Sequence, residues 1–577
     1  MVKFFKTQKL VYSALIVFVW ILFIFITMHI QYQTIDDYFM SMFASGAFGD
    51  CSPFLVNINI VFGLPLSFLY KKLNFVPWYP IFFIVMLYCG MTAITYVMFC
   101  RFKHLRVGFF VLLAIGSMIF PDNFQFTVIS YLCLIAGTTL WINAFSSSNK
   151  TFQNIIAGLL IMSGGFIREQ CLYTTLLFII MLLIVDFIIT RKRPDNAVGI
   201  SNLGQISVVV IAFLIPVLLW QLQYNIYSDF YSFNERTVAT DYDIIPSDKA
   251  EEIYTLAGWS KNDYEMMLSY NYDDDFFSKD EYKKLINAKK IYLAKKTTVV
   301  SDTINRLSQS YGNIIAIAVL GIIFCFFERK LIPYFFVLFS VPVSINILLC
   351  YVDRALVRVL IPQYITTIVL LILIYGIFKN HTVSSSLQAA EQSIENKIVK
   401  KHSIIINTIS VIMLIALCFI YMGMIKRSQY YDVSKYEKYR TLLDYTFSHK
   451  NNCYIYDTFS LRNEAYGIFE IHRFNQFENC ISSGDWWSQL EMNSNVKKNN
   501  GIDSIFIALA EKDNVFYITA KSNEDLRVKE NMPSGEEKAK QICIFLKEHY
   551  NIIVEPQLID SFGGVENEIY AVYKFKK

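Results

Sequence analysis

The sequence predicts a polytopic α-helical membrane protein, with about eleven spanning helices in residues 1–424 and a small extracytoplasmic α/β domain in 425–577. Three observations predict it. Of 577 residues, 54% are hydrophobic and only 17% charged, and the mean hydropathy is +0.39. Soluble domains carry about 25% charged residues, so long stretches of this chain must meet lipid rather than water. Apolar runs of spanning or near-spanning length recur up to residue 424. After it the composition turns soluble and shows strand-like and amphipathic patterns.

The first run follows the basic head of "MVKFFKTQKLVYSALIVFVWILFIFITM". It is too long for a secretory signal and ends without a small-residue cleavage site, so it reads as a retained helix. The remaining runs fall at 79–100, 105–120, 124–144, 152–167, 171–190, 203–222, 311–328, 332–350, 358–378 and 403–424. A further run, 54–70, is broken by Asn57, Asn59, Gly63 and Pro65. Charge decides how to treat it. If 54–70 does not cross, the basic clusters at Lys3 to Lys9, "RFKHLR" (101–106), Lys150, "RKR" (191–193), Arg329, Lys330 and 379–402 all face the cytoplasm. If it does cross, "RFKHLR" and "RKR" move to the other side. The expected topology therefore has a cytoplasmic N-terminus in the plasma membrane, with 54–70 re-entrant or lying at the interface. The outer face then receives loops at about 31–78 and 223–310, the turn "YVDRALVR" at 351–358, and everything from 428 on.

In the C-terminal segment, "CYIYD" (453–457), "SIFIALA" (504–510), "NVFYITA" (514–520) and "EIYAVYKF" (568–575) read as strands, and "GEEKAKQICIFLKEHY" (535–550) as an amphipathic helix. Most of the 11 cysteines sit in apolar runs as small hydrophobes. Those outside form no CxxC pair and have no histidine at ligand spacing, which argues against zinc; a Cys453–Cys480 disulfide is one arrangement the sequence allows. The net charge of +4, with no basic tract interleaved with aromatics, sets nucleic acid aside as a partner.

Asp36 and Asp37 stand a few residues beyond the first spanning helix, at the head of "DDYFMSMFASGAF". One reading is that they cap an amphipathic helix and complement its dipole. That explains one carboxylate better than two, because adjacent charges near a bilayer repel and lose solvation. Arginines share their expected side: Arg168 in "SGGFIREQ", and Arg354 and Arg358 in "YVDRALVRVLIPQY". Local pairs with Glu169 and Asp353 would account for Arg168 and Arg354. Arg358 instead opens a helix, where a cation opposes the dipole and calls for an anion. In the second outer loop, "NERTVATD" brings Asn234, Arg236 and Asp241 together, residue types that suit phosphate and sugar hydroxyls, while Asp273 to Asp275 read as a solvated face.

A first helix followed by an acidic pair in a long outer loop, a many-helix body, a second long outer loop and an outer C-terminal domain together resemble the C-type integral-membrane glycosyltransferases, the GT-C superfamily. The architecture is similar over the whole chain, and the motif only at Asp36 and Asp37. The resemblance implies a sugar donor carried on a polyprenyl phosphate or diphosphate, membrane lipid as surroundings, and transfer to a glycan, lipid or protein acceptor of the cell surface. It maps the family's acidic residue onto Asp36 or Asp37 as catalytic base. Arg168, Arg236, Arg354 and Arg358 would then hold the donor phosphate, with Asn234 and Asp241 on the substrate. "GDWWS" at 484–488 has the wrong order for the acceptor motif of the oligosaccharyltransferase branch. Adjacent carboxylates suit Mg²⁺ or Mn²⁺, yet no Asp-x-Asp or histidine cluster accompanies them, so a metal-independent inverting reaction is preferred. A polysaccharide polymerase or ligase shares this chemistry. A flippase or transporter, and a non-catalytic scaffold, are the readings from other classes.

Overall fold

The computed structural model describes residues 2–102, 105–121, 123–145, 150–192, 203–232, 234–242, 244–295, 303–305, 307, 311–351, 357–386, 415–416, 418–426, 442, 444–460, 467–521, 533–563 and 569–577. Most of these are helical. The helices are α1 (Val2–Thr27), α2 (Ile35–Ser45), α3 (Ile60–Lys72), α4 (Trp78–Arg101), α5 (Leu105–Ile119), α6 (Phe126–Ala144), α7 (Lys150–Ile167), α8 (Glu169–Lys192) and α9 (Leu203–Ile226). After them come α10 (Ser228–Ser232), α11 (Asn234–Asp241), α12 (Glu251–Ala257), α13 (Lys261–Leu268), α14 (Lys279–Lys295), α15 (Tyr311–Phe327), α16 (Ile332–Tyr351) and α17 (Val357–Ser386).

Among the described residues, seven helices are long and apolar enough to cross a bilayer: α1, α4, α6, α8, α9, α16 and α17. That suits a membrane-embedded protein and falls short of the eleven expected. The runs at 105–120 and 311–328 form the shorter apolar helices α5 and α15. The run at 152–167 becomes α7, whose first turns carry Lys150, Gln153 and Asn154. Most of 403–424 lies outside the described residues. Helix α6 is the buried centre of the bundle, with every residue enclosed. Its contact with α7 depends on a small residue. A Cβ on Gly164 would stand 2.8 Å from the Ser130 carbonyl oxygen, where the Ser130 hydroxyl now donates to the Gly164 carbonyl at 2.7 Å.

The 54–70 run forms no helix of spanning length. Its apolar residues divide between an irregular stretch and α3, whose 13 residues reach about 20 Å against roughly 30 Å of hydrocarbon. Asn59 caps α3, its backbone N–H donates to the Phe166 carbonyl, and the Ile60 N–H donates to Gln223 Oε1 at 2.6 Å. Leu64 and Phe68 point outward while Leu66, Ser67 and Tyr70 pack inward.

The C-terminal domain is a five-stranded sheet of order β2-β1-β3-β5-β4, with strands β1 (Cys453–Tyr456), β2 (Cys480–Ser482), β3 (Val515–Ala520), β4 (Glu555–Phe562) and β5 (Tyr570–Lys576). β1 runs parallel to β2 and β3, and β5 antiparallel to β3 and β4. Helices α18 (Glu491–Asn499), α19 (Ile505–Glu511) and α20 (Gly535–Tyr550) cover it. Two expectations change here. The 504–510 run is α19 rather than a strand, because Ser504 caps it by accepting from the Ile507 N–H. Cys453 and Cys480 are free buried thiols.

The long segment between α9 and α15 shares one hydrophobic core with this domain: Trp259, Tyr264, Tyr272, Phe277 and Tyr282 pack with Ile505, Tyr517 and Phe545. Asp273, expected on a solvated face, is half-buried and paired with Lys497 at 2.9 Å. Asp274 accepts from the Tyr550 hydroxyl at 2.7 Å. The acidic run therefore docks the segment onto the domain. An enclosed pair, Lys538 Nζ to Asp457 Oδ1 at 3.1 Å, sits at the carboxyl end of β1, where Ser460 Oγ also donates to Asp457 Oδ2 at 2.6 Å.

Candidate functional site

Beyond α1 the chain makes a single parallel bridge, Tyr32 to Phe124, and enters α2 after Thr34. Asp36 and Asp37 occupy its first turn, where carboxylates complement the dipole. Neither acts as the N-cap. The two differ sharply in surroundings. Asp37 is completely enclosed. Its Oδ1 accepts from the Tyr79 hydroxyl at 3.0 Å and from the Phe126 N–H at 3.2 Å, while its Oδ2 has no hydrogen-bond partner among the described residues. Burial pushes the Asp37 carboxyl well above its ordinary 3.8, and the Asp36 charge adds to that. The hydrogen bonds from Tyr79 and Phe126 and the positive charge of Arg358 oppose the rise without cancelling it. Burial thereby favours the protonated form of the Asp37 carboxyl. Asp36 is only half-buried, and its Oδ1 accepts from the Trp486 indole N–H at 3.0 Å.

Trp486 belongs to the turn that follows β2, "GDWWS", so the carboxyl edge of the parallel strands is aimed at α2. The turn is held under strain. Asp485 has φ +69° and ψ −179°, a conformation close to glycine-only that costs on the order of 1–3 kcal/mol. Neighbours over-determine it. The Asp485 N–H donates to the Tyr272 hydroxyl at 2.9 Å, and its carbonyl accepts from Arg236 at 3.0 Å and from Ser488 at 2.9 Å. Its carboxylate takes the Trp486 N–H at 2.6 Å. Gly484 is required beside it, because a Cβ there would lie 2.0 Å from the Tyr270 carbonyl oxygen. Next in the turn, Trp487 stacks on Phe39 of α2 with ring centres 4.0 Å apart. Helix α2 is therefore enclosed beneath the domain from Asp37 to Ser45.

The arginines separate into different surroundings. Arg358, in the first turn of α17, lies close enough to Asp37 for its charge to act on that carboxyl. Arg168 donates to Asn57 and lies over the Phe126 ring at 5.1 Å, so it stands beside the residue whose N–H holds Asp37. Glu169 does not pair with it in a local ion pair and instead accepts from the hydroxyls of Tyr173 and Tyr224. Arg236, 5% exposed, clamps the Asp485 turn. Arg354 and the side chains of Asn234 and Asp241 lie outside the described residues. Sequence reasoning missed Tyr79, Trp486 and the Phe126 N–H. The paired tryptophans of "GDWWS" were the available signal.

Among the described residues, the one group of three potential metal ligands is Asp263, Glu548 and His549, where α13 meets α20. Its Asp263 is already committed to the capping box of α13 and to His549 at 2.8 Å. No such group forms at Asp36 and Asp37. Burial that favours the protonated Asp37 carboxyl works against its binding Mg²⁺ or Mn²⁺, which take ionised oxygens. No known protein family matches the chain, and no curated protein matches it.

Proposed function

We propose that the protein is a membrane-embedded, inverting glycosyltransferase that moves a sugar from a polyprenyl-phosphate donor to a cell-surface glycan, lipid or protein acceptor. The reaction takes place on the extracytoplasmic face of the plasma membrane, the side of α2 and the C-terminal domain. The reading is supported above all by one observation: two adjacent carboxylates in unlike surroundings, one enclosed with its carboxyl raised by burial and Arg358 acting on it, the other half-buried and bonded to the Trp486 indole. Environments that push neighbouring carboxyl groups apart divide acid and base roles.

In this reading Asp36 is the base. It takes the proton of the acceptor hydroxyl as the hydroxyl oxygen bonds to the anomeric carbon, and the bond from that carbon to the phosphate oxygen breaks on the opposite face. Negative charge collects on the departing phosphate, and Arg358 and Arg168 face it. Arg168 spends one of its donors on Asn57 and keeps others for an anion. Burial biases Asp37 toward its protonated form, which limits the negative charge beside the phosphate. Arg236 acts indirectly, by holding the turn that carries Trp486. Arginines rather than a metal neutralise the phosphate, so chelator should leave turnover intact.

The test is to incubate the purified protein in lipid nanodiscs with a panel of polyprenyl-phosphate sugars and candidate acceptors, and to read products by mass. A sugar-transfer product that disappears in Asp36→Asn, with the melting transition unchanged, supports the reading. Absence of product from every donor in the panel counts against it.

A further inference from the structure

The C-terminal domain carries an apolar loop that its own core does not explain. In "GIFEIHRFNQF" (467–477), Ile468 and His472 are buried while Phe469, Ile471 and Phe474 are 46%, 48% and 49% exposed. The buried members pin the loop to the helix bundle. His472 meets the Tyr38 ring of α2 at 5.3 Å, and the N–H groups of Asn475 and Phe477 donate to the carbonyls of Gly46 and Ala47 at 3.0 and 2.8 Å. Phe469 packs on Phe25, in the last turns of α1, at 5.5 Å between ring centres.

That position decides what the exposed side chains meet. Along α1, Val19, Leu22 and Ile26 are turned outward, Ile26 to 74%, a face that in a spanning helix belongs to lipid. The loop meets α1 where that helix ends, through Phe469 against Phe25, next to the outward Ile26. Between the two runs a cleft of about 460 Å³, lined by Phe25, Met28, Ile468 and Phe469 with His29 and Glu470 as polar members. Arg473 stands exposed beside Phe474. Aromatic and aliphatic side chains interleaved with a basic one form the pattern of a segment at the boundary of headgroups and acyl chains, where a guanidinium reaches back to phosphate. Three large apolar side chains exposed within six residues on a soluble domain also call for an interaction surface.

We propose that the 467–474 loop is a membrane-inserting wedge: Phe469, Ile471 and Phe474 enter the leaflet on the domain's side, and a phospholipid acyl chain occupies the cleft against α1. The wedge fixes the height of the domain above α2, and with it the position of Trp486 over Asp36. It stands on the apolar loop and its contact with α1 alone and holds whether or not the protein transfers sugars.

The experiment replaces Phe469, Ile471 or Phe474, one at a time, by photoreactive p-benzoylphenylalanine in the full chain, reconstituted in phosphatidylcholine vesicles with a minor share of phosphatidylglycerol. The control carries the same probe at Ile553. That residue is also apolar and 68% exposed, and it precedes Glu555, which pairs with Lys576 at the opposite edge of the sheet. After irradiation, mass analysis should find phospholipid adducts at the loop positions and only background at Ile553. Three loop positions guard against one variant failing to fold. Adduct yields at the loop no higher than at Ile553 would overturn the proposal. So would cross-linking to added polyprenyl phosphate without any to phospholipid, which would make the cleft a donor groove.

Discussion

Asp37→Asn isolates the physical statement on which the acid-base assignment rests. In the folded chain the Asp37 carboxyl titrates well above its ordinary 3.8. Between those two values the native state holds one proton more than the unfolded chain. Stability therefore falls as pH rises through this window, by about 1.4 kcal/mol per pH unit, and levels off above the folded value. Asparagine binds no proton, so the variant lacks this slope. Its amide oxygen can still accept from Tyr79 and Phe126, and its amide nitrogen takes the place of an oxygen without a partner. An unsatisfied buried donor costs about 1–3 kcal/mol at every pH, which shifts the curve without tilting it. The assay is reversible unfolding in mixed micelles with added dodecyl sulfate, followed by tryptophan fluorescence as the pH is raised from about 4. Wild type should lose stability with rising pH relative to the variant, at a slope near the stated one. Parallel curves would refute the raised Asp37 carboxyl.

Other expectations concern the domain that covers the site. Lys538→Met leaves Asp457 enclosed without its cation and should destabilise the C-terminal domain by about 3–5 kcal/mol, with the double variant Lys538→Met, Asp457→Asn less affected, read from thermal melts. Gly484→Ala forces a Cβ against the Tyr270 carbonyl and should cost about 1–3 kcal/mol, visible as faster proteolysis within the 484–488 turn. Trp486→Phe keeps the ring contacts and loses the bond to Asp36. It should weaken the docking of the domain by about 1.5–3 kcal/mol, seen as faster amide exchange in α2.

How much of this was legible in the sequence follows from which interactions are local. The helix at 535–550 was readable to the residue because Ser534 and Glu537 form a capping box at its start. Strands β1, β3 and β5 are runs rich in β-branched and aromatic residues and were equally plain. The 504–510 run lacks alternation, and short apolar runs of that kind do not separate strand from helix; the cap at Ser504 decided it. Strand β2 has three residues, too few for any pattern. Helix α2 reads as an amphipathic helix, and nothing near it in sequence says what covers it. What buries it is Trp486, 450 residues away. Separations of 249 and 224 residues likewise hid the roles of Arg236 and Asp273, whose partners lie in the C-terminal domain. The position of Asp36 and Asp37 was local information, while the difference between them came only with tertiary packing.

That difference is also the most direct test of the account. Once a donor is identified, single-turnover transfer should be compared for Asp36→Asn and Asp37→Asn in the same nanodiscs. The account predicts a loss on the order of 10²–10⁴-fold for Asp36→Asn, the size expected when a general base is removed, and a much smaller loss for Asp37→Asn. Full activity in Asp36→Asn, or a larger loss in Asp37→Asn, would contradict it.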